Sequence, residues 1–325
     1  MYYRHATTDD PLLDQMWHLE QVNTATAWDT TTGAPEVVVA VIDAGTLAQH
    51  PDFLGQTTEG YDFVGATDNY DGDGIDPDPE DATPLFDECT QAAAFYHGAH
   101  IAGTIGATGN NAEGIAGLSY TSTLMHLRAL DGDCGGSTYD IYQALLYAIG
   151  AENDSGTVPN NPADVVNMSL GGGGAASVFQ DAVNQAAAQG VIVVVSSGNE
   201  GASTVSYPAA YDNAFAIGAT GLGGTVASYS NQGPKLDLVA PGGGGGGGRA
   251  GCGECRGGRE VGEHTAVRKC RVEERVHRRL LRQLAIVQRL AARLEDAHHE
   301  LAQVGRVEAT AAVEHNQPSV QSYFA

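Results

Sequence analysis

Runs of apolar residues that end in small or polar residues recur along the first part of the chain. EVVVAVIDAG (36–45) is a continuous apolar run closed by Asp and Gly, which is typical of a strand buried on both faces of a parallel sheet. TLMHLRAL (123–130), ADVVNMSL (163–170) and VIVVVSSGN (191–199) have the same character. These four runs predict four buried strands.

Segments with helical spacing separate these strands. HGAHIAGTIGA (97–107) carries small residues at helical spacing, TYDIYQALLYAIG (138–150) is amphipathic, and SVFQDAVNQAAAQG (177–190) ends in glycine, as helices often do. This alternation predicts right-handed βαβ units and an α/β fold, a doubly wound parallel sheet with helices on both faces. In such sheets functional side chains gather at the carboxyl ends of the strands.

The pattern changes after Pro241. The later segment HRRLLRQLAIVQRLAARLEDAHHELAQV predicts one helix, because its apolar positions alternate spacings of four and three and could support self-association. We therefore divide the chain into an incomplete α/β domain (1–241), a Gly/Arg-rich segment predicted to be disordered (242–272), a helix (273–304) and a tail (305–325).

Charge divides the chain at the same place. Residues 1–241 contain 3 Lys or Arg and 30 Asp or Glu, whereas residues 242–325 contain 13 and 10. The acidic part would repel nucleic acid and an anionic membrane, so we expect neither as a partner. It favours bound cations, high solubility or a saline environment, and charge alone does not decide among these. No stretch reaches the apolar length of about 18 residues that a membrane span requires.

The cysteines and the first residues of the chain indicate the cellular compartment in which the protein could reside. MYYRHATTDDPLLDQ (1–15) lacks the apolar core of a signal peptide, so we expect either a cytosolic protein or an exported one whose export segment is not in this sequence. Cys89 and Cys134 are the two cysteines of the acidic part, and they fit one disulfide in an exported protein.

Three residues at the ends of predicted elements suit acid–base chemistry. Asp43 ends a buried strand, where a carboxylate needs a hydrogen-bonding or cationic partner. His97 opens a glycine-rich helix, and an imidazole beside a carboxylate can act as a general base. Asn199 offers an amide donor for a developing oxyanion. Taken singly, such residues are more often caps or structural groups.

Taken together, five blocks resemble, in order, the subtilisin-like serine peptidases (subtilases), and in particular their secreted bacterial branch. The blocks are VVVAVIDAG, HGAHIAGTIGA, NMSLGG, SSGNEG and SYSNQGPKLDLVAPG. The resemblance runs from about Asp10 to Gly242. It implies a subtilisin-like fold, an extracellular location, and hydrolysis of peptide or protein substrates.

The resemblance also implies roles for individual residues. Asp43 would orient the imidazole, His97 would be the general base, and Asn199 would donate to the oxyanion. Tyr207-Pro208 stands where the family often has a cis peptide bond. Two backbone edges would receive an extended peptide as an added strand. Their residues are Ser169, Leu170, Gly171, Gly172, Ser196, Ser197 and Gly198.

The chain departs from the family pattern at the site. Ala44 and Ala99 stand where family members usually have hydroxyl side chains. The family's nucleophile lies in a Gly-Thr-Ser-Met-Ala segment shortly after Ala-Pro-Gly, and no such segment follows Pro241. Without a nucleophile we expect the chain to be close to inactive. The missing segment would also supply a helix and part of the core, so we expect an exposed apolar face.

Three explanations of the missing segment stay open: a frame slip in the glycine codons after Pro241, a fusion of a truncated peptidase to a short coiled coil, and a diverged pseudo-peptidase. They correspond to two functions. The first is a serine endopeptidase whose serine segment is missing or frame-shifted. The second is a non-catalytic scaffold that binds an extended peptide or associates through its tail helix.

An acidic loop between the Asp strand and the His helix follows the spacing of a calcium-binding loop. Asn69, Asp71 and Asp73 alternate with other residues, and Glu80 takes the twelfth position. Two prolines exclude the helix that follows the loop in an EF-hand. The loop is therefore either a structural calcium site, which the resemblance also implies, or a solvated acidic loop. We expect no catalytic cofactor.

Overall fold

The structure is a computed structural model, and all of the residues it describes belong to the first of two units of the chain, Met1–Gly258. The predictions for Asn69, Asp71, Cys89 and Cys134, and those for the chain after Gly243, lie outside the described residues. The described residues are 7–47, 49–65, 72–80, 96–130, 135–172 and 174–243.

Strands and helices alternate along the described residues. The strands are β1 (Val38–Asp43), β2 (Tyr61–Asp62), β3 (Thr123–Arg128), β4 (Val165–Met168), β5 (Ile192–Ser196), β6 (Ala214–Thr220) and β7 (Leu236–Pro241). The helices are α1 (Trp17–Gln21), α2 (Thr24–Trp28), α3 (His97–Gly106), α4 (Thr138–Ala148) and α5 (Ser177–Ala188).

The seven strands form one sheet in the order β2-β3-β1-β4-β5-β6-β7, and every neighbouring pair is parallel. This confirms the predicted α/β fold class and the four predicted strands. No helix among the described residues combines the length and hydropathy needed to cross a membrane.

Strand β1 lies inside the sheet with helices on both of its faces. All six of its residues are buried, as its continuous apolar run predicts. Ala40 and Ile42 belong to the core that α4 and α5 complete. Val41 belongs to a second core with Ala99 and Ala102 of α3. The small residues of α3 thus let that helix approach the sheet closely.

The two faces of strands β4 to β6 differ sharply in burial. Val166 and Val193, on the face covered by α4 and α5, are 0% and 1% exposed. On the opposite face Ile192 is 40% exposed, and Val194 is only partly buried. We call this second surface the open face, because the described residues leave it uncovered. It consists of Ile192, Val194, Phe215, Ile217 and Leu238.

A buried ion pair joins the ends of β2 and β3. Arg128 and Asp62 are neighbours in the parallel register, and both side chains are 0% exposed. Asp62 Oδ1 also accepts a hydrogen bond from the Val64 amide at 2.8 Å. The two-residue strand β2 is therefore held to the sheet by charge as well as by its backbone.

Candidate active site

Asp43 and His97 meet at the carboxyl end of β1. His97 Nδ1 lies 2.7 Å from Asp43 Oδ1, and this oxygen also accepts a hydrogen bond from the Ala44 amide at 2.8 Å. The side chain of Asp43 is 1% exposed, whereas that of His97 is 39% exposed. One side of the imidazole is therefore held by a buried carboxylate while the other side reaches solvent.

The carboxylate makes His97 a stronger base. The hydrogen bond to Asp43 raises the pKa of His97 above its ordinary value, against the lowering effect of burial, and the charge of Asp43 raises it further. A proton on Nδ1 is held by the carboxylate, so Nε2 is the nitrogen left to accept a proton. The described residues include no serine hydroxyl hydrogen-bonded to His97.

We expect Asp43→Asn to lower the pKa of His97 toward its ordinary value of about 6.5, as measured by NMR titration of the imidazole. Because the folded pKa is raised, protonated His97 stabilises the fold. This stabilisation is complete below the unfolded pKa of about 6.5 and is lost as the pH rises through the folded pKa. The variant should lose this pH dependence of the free energy of unfolding.

The matched control is Asp212→Asn, which removes an exposed carboxylate that pairs with Lys235 and not with His97. It should leave the titration of His97 unchanged. An identical pKa of His97 in the parent chain and in the Asp43→Asn variant would contradict the assigned pairing.

Glycine at position 98 allows α3 to begin against the end of β1. A Cβ at Gly98 would lie 2.1 Å from the Gly45 carbonyl oxygen and 3.1 Å from Asp43 Cβ. Gly103, farther along the same helix, has its nearest neighbouring atom at 3.5 Å, which is ordinary contact. The close approach at Gly98 brings the neighbouring His97 within reach of Asp43.

We expect Gly98→Ala to lower the free energy of unfolding by about 1–3 kcal/mol, because the new methyl group overlaps backbone. Gly103→Ala on the same helix should raise it by about 0.5–1 kcal/mol, because alanine favours the helix and meets no obstacle. Urea denaturation measures both. Equal effects of the two substitutions would contradict this account of the helix start.

A cavity of about 200 Å³ lies at the carboxyl ends of β4 to β7. Ser169 and Ser196 line it from the ends of β4 and β5, and Asn199 lies on the loop after β5. Pro241 and Gly242 line it from the end of β7. The structure thus brings residues from three predicted blocks to one cavity, whose lining also includes Ser197 and Gly198 but not Leu170, Gly171 or Gly172.

The segment Ser196–Gly198 differs from the predicted peptide-binding edge. The Ser197 amide donates to the Ile217 carbonyl at 2.8 Å, and the Ser197 carbonyl accepts from the Ser206 amide at 2.9 Å. The Gly198 carbonyl accepts from the Asn231 amide at 3.0 Å. Both backbone groups of Ser197 are already bonded within the chain, so Ser197 lines a wall of the cavity and is not open to an added strand.

The other predicted edge follows β4. The Leu170 carbonyl accepts a hydrogen bond from Ser196 Oγ at 3.0 Å, and the Gly172 amide donates to the Tyr207 carbonyl at 3.1 Å. The Tyr207-Pro208 bond is cis, as predicted. The Gly172 contact ties the edge to the segment that carries the cis bond, and the Leu170 contact ties it to the end of β5.

Asn199 lies exposed at the rim of the cavity, on a loop that the side chain of the neighbouring Glu200 holds by hydrogen bonds. Its backbone amide donates to Glu200 Oε2 at 3.1 Å. The same carboxylate oxygen accepts from Asn231 Nδ2 at 2.6 Å and from Ser206 Oγ at 3.4 Å. No sequence motif predicts this cluster, because Asn231 joins it from 31 positions after Glu200.

Two of the four predicted calcium ligands, Asp73 and Glu80, lie among the described residues. Asp73 Oδ1 accepts from the Gly74 amide at 3.0 Å, and the Glu80 amide donates to Asp78 Oδ1 at 3.1 Å. Burial raises the pKa of Asp76; the amide of Asp78 lowers it, and the carboxyl group of Asp73 raises it further. Within the described residues no three His, Cys, Asp or Glu side chains form a metal-binding group.

Comparisons with known proteins match the same region. The family model of Peptidase S8, the subtilase family, matches residues 34–273. A solved structure titled as proteases from Pseudoalteromonas arctica PAMC 21717 is similar with a TM-score of 0.68 at 38% sequence identity, and the match covers 74% of each chain.

Three curated relatives show how much of a longer protein is matched. An extracellular protease of Xanthomonas campestris is 41% identical over 250 residues, which cover 73% of this chain and 42% of that protein. A halolysin of Haloferax mediterranei is 44% identical over 238 residues, which cover 73% of this chain and 40% of that protein. Subtilisin BL of Lederbergia lenta is 36% identical over 227 residues, which cover 70% of this chain and 71% of that protein. The chain thus spans about two fifths of the length of the first two relatives.

Proposed function

Because the chain belongs to the subtilase family, we propose that residues 1–241 are the Asp- and His-bearing part of a serine endopeptidase domain. The observation that carries this proposal is the Asp43–His97 pair, 2.7 Å apart at the end of β1. In acyl transfer the imidazole takes the proton of the attacking hydroxyl and returns it to the leaving amine. The buried carboxylate stabilises the imidazolium that forms between these steps.

The remaining roles fall to the residues around the cavity. Asn199 at its rim would donate to the oxyanion, and the edge Ser169–Gly172 would align an extended peptide beside β4. Peptides and proteins are the substrates that this chemistry fits. The names of the relatives include extracellular proteases of two bacteria, which supports an extracellular location for this protein.

The chain as it stands lacks the nucleophile for this chemistry. The sequence after Pro241 contains two serines, Ser319 and Ser322, and neither lies in a Gly-Thr-Ser-Met-Ala segment. A frame slip within the glycine codons accounts for the abrupt change to an arginine-rich sequence. The native protein would then be an active endopeptidase, while this polypeptide does not hydrolyse peptides.

A chimera tests the proposed role of residues 1–241. These residues would be joined to the remaining catalytic segment of the Xanthomonas campestris extracellular protease, the relative that is 41% identical over 250 residues. We expect the chimera to hydrolyse peptides and to react with a fluorophosphonate. His97→Ala in the chimera should abolish hydrolysis, whereas His100→Ala on the same helix should not. A folded chimera that His97→Ala leaves fully active would contradict the proposal.

The second candidate is a non-catalytic scaffold that binds an extended peptide. The observation that favours it is that the cavity and the edge Ser169–Gly172 are formed by residues before Gly243. Fluorescence anisotropy with labelled casein fragments would detect such binding without cleavage. Self-association through the helix predicted at 273–304 belongs to this alternative, and light scattering of the full chain would detect it.

Structural calcium is a further part of the proposal. It is supported by the acidic loop, in which Asp73 and Asp76 lie close enough for one carboxyl group to raise the pKa of the other. A divalent cation would relieve that repulsion with oxygen ligands. Calorimetric titration of the full chain with Ca²⁺, in the parent and in the Asp73→Asn variant, tests the site.

A further inference from the structure

The side chain of Asn231 is a buried polar group that no step of the proposed mechanism uses, and it is 1% exposed. Its Oδ1 accepts hydrogen bonds from the amides of Glu200 at 3.1 Å and Ala202 at 2.8 Å. Its Nδ2 donates to Glu200 Oε2 at 2.6 Å and to Ser206 Oγ at 3.1 Å. An asparagine side chain can accept two hydrogen bonds and donate two, so the bonding capacity of Asn231 is filled.

Three of these four bonds end on the loop that follows β5 and carries Asn199. The carboxylate oxygen that Asn231 binds, Glu200 Oε2, also accepts from the Asn199 amide at 3.1 Å. The backbone of Asn231 holds the other side of the same position, because its amide donates to the Gly198 carbonyl at 3.0 Å. Asn231 therefore fixes the chain immediately before and immediately after Asn199.

Glycine at position 198 leaves room for this arrangement. Its φ is +106°, a conformation that favours glycine, and a Cβ there would lie 2.3 Å from Asn231 Nδ2 and 2.7 Å from Glu200 Oε2. A side chain at this position would therefore separate the amide of Asn231 from the carboxylate of Glu200.

We propose that Asn231 is a positioning residue for the oxyanion donor. By binding Glu200 and the backbone around Asn199, it holds the Asn199 side chain at the rim of the cavity before a substrate arrives. A donor that is fixed in advance stabilises a developing charge without rearranging during the reaction. This inference rests on the proposed function, because Asn231 acts through Asn199 and not on the substrate itself.

Hydrogen exchange of the full chain, measured by NMR, tests whether Asn231 holds the loop. In the Asn231→Ala variant we expect the amides of Glu200 and Ala202 to exchange about tenfold or more faster than in the parent, because both lose their acceptor. The matched control is Asn153→Ala, since Asn153 also makes four side-chain hydrogen bonds, in a loop that does not line the cavity. It should leave exchange at both amides unchanged. Unchanged exchange in Asn231→Ala overturns the proposal.

Kinetics of the chimera described above test the effect on catalysis. We expect Asn231→Ala to lower kcat about tenfold or more while KM changes less than about threefold, whereas Asn153→Ala changes neither. Asn199→Ala should lower kcat about 10²–10³-fold. Adding Asn231→Ala to that variant should cost little more, because the donor that Asn231 positions is already absent.

A purely structural role of Asn231 predicts a different result. The loss in the double variant would then be the product of the two single losses, and this outcome overturns the proposal. An active chimera whose kcat Asn231→Ala leaves unchanged also overturns it, without touching the proposed function. An inactive chimera contradicts the proposed function, and hydrogen exchange of the full chain then still decides whether Asn231 holds the loop.

Discussion

The full chain is expected to remain unlabelled by a fluorophosphonate probe and to hydrolyse peptides about 10⁴-fold or more slowly than an intact family member. In the proposed mechanism Asp43 and His97 supply the general base, but no described serine is hydrogen-bonded to His97. When the imidazole has no hydroxyl to deprotonate, only substrate binding and oxyanion stabilisation remain to accelerate hydrolysis. Gel fluorescence and mass spectrometry measure the labelling.

Subtilisin BL, which is 36% identical over 227 residues, is the positive control for the probe. Stoichiometric labelling of the full chain would contradict the expectation. Peptide mapping of the labelled chain would then identify the serine. Ser169 and Ser196, which line the cavity, would be the first to examine.

Asp62→Ala is expected to lower the free energy of unfolding by about 3–5 kcal/mol. Its partner Arg128 is 0% exposed, and the substitution takes the carboxylate away from a guanidinium that water does not reach. The loss should exceed that of an ordinary surface substitution because removing one partner of a buried ion pair is costly. Denaturant unfolding of the full chain measures it.

The exposed pair of Lys235 and Asp212 provides the control. Their side chains are 52% and 76% exposed, so Asp212→Ala should change the free energy of unfolding by about 0–1 kcal/mol. A double variant, Asp62→Leu with Arg128→Met, removes both buried charges and should be less destabilised than Asp62→Ala. Similar small effects of Asp62→Ala and Asp212→Ala would contradict the importance of the buried pair.

The strands that the sequence predicts are those with the strongest apolar runs. Strands β1, β3, β4 and β5 carry such runs, and β1 is buried on both faces. Strands β6 and β7 were not predicted. Strand β6, AFAIGAT, alternates buried and partly buried positions, and no residue of the edge strand β7 is fully buried. Strand β2, with two residues, is too short for any periodicity to appear.

Much of the site was predictable because its residues occupy fixed places in a family pattern. The structure brings Asp43 and His97 within 2.7 Å of each other, although 54 positions separate them. The bonding of Ser197 and the contact between Glu200 and Asn231 were not predictable, because they arise where loops distant in sequence meet. Such contacts cannot be predicted from periodicity or from a local motif.

The buried Arg128 shows another limit of sequence reasoning. Arginine is almost never fully buried unless it is paired, and its run TLMHLRAL contains no acidic residue. The partner Asp62 comes from a short strand 66 positions earlier. The parallel register of β2 and β3 places the two side by side.

The most direct test of the central claim is to resequence the coding DNA from Val239 through the glycine run and to translate all three frames. We predict that another frame encodes a Gly-Thr-Ser-Met-Ala segment soon after Gly248, so that residues 1–241 continue into the rest of a serine endopeptidase domain. Absence of that segment from every frame would contradict the claim, and the function of the chain would then be binding without cleavage.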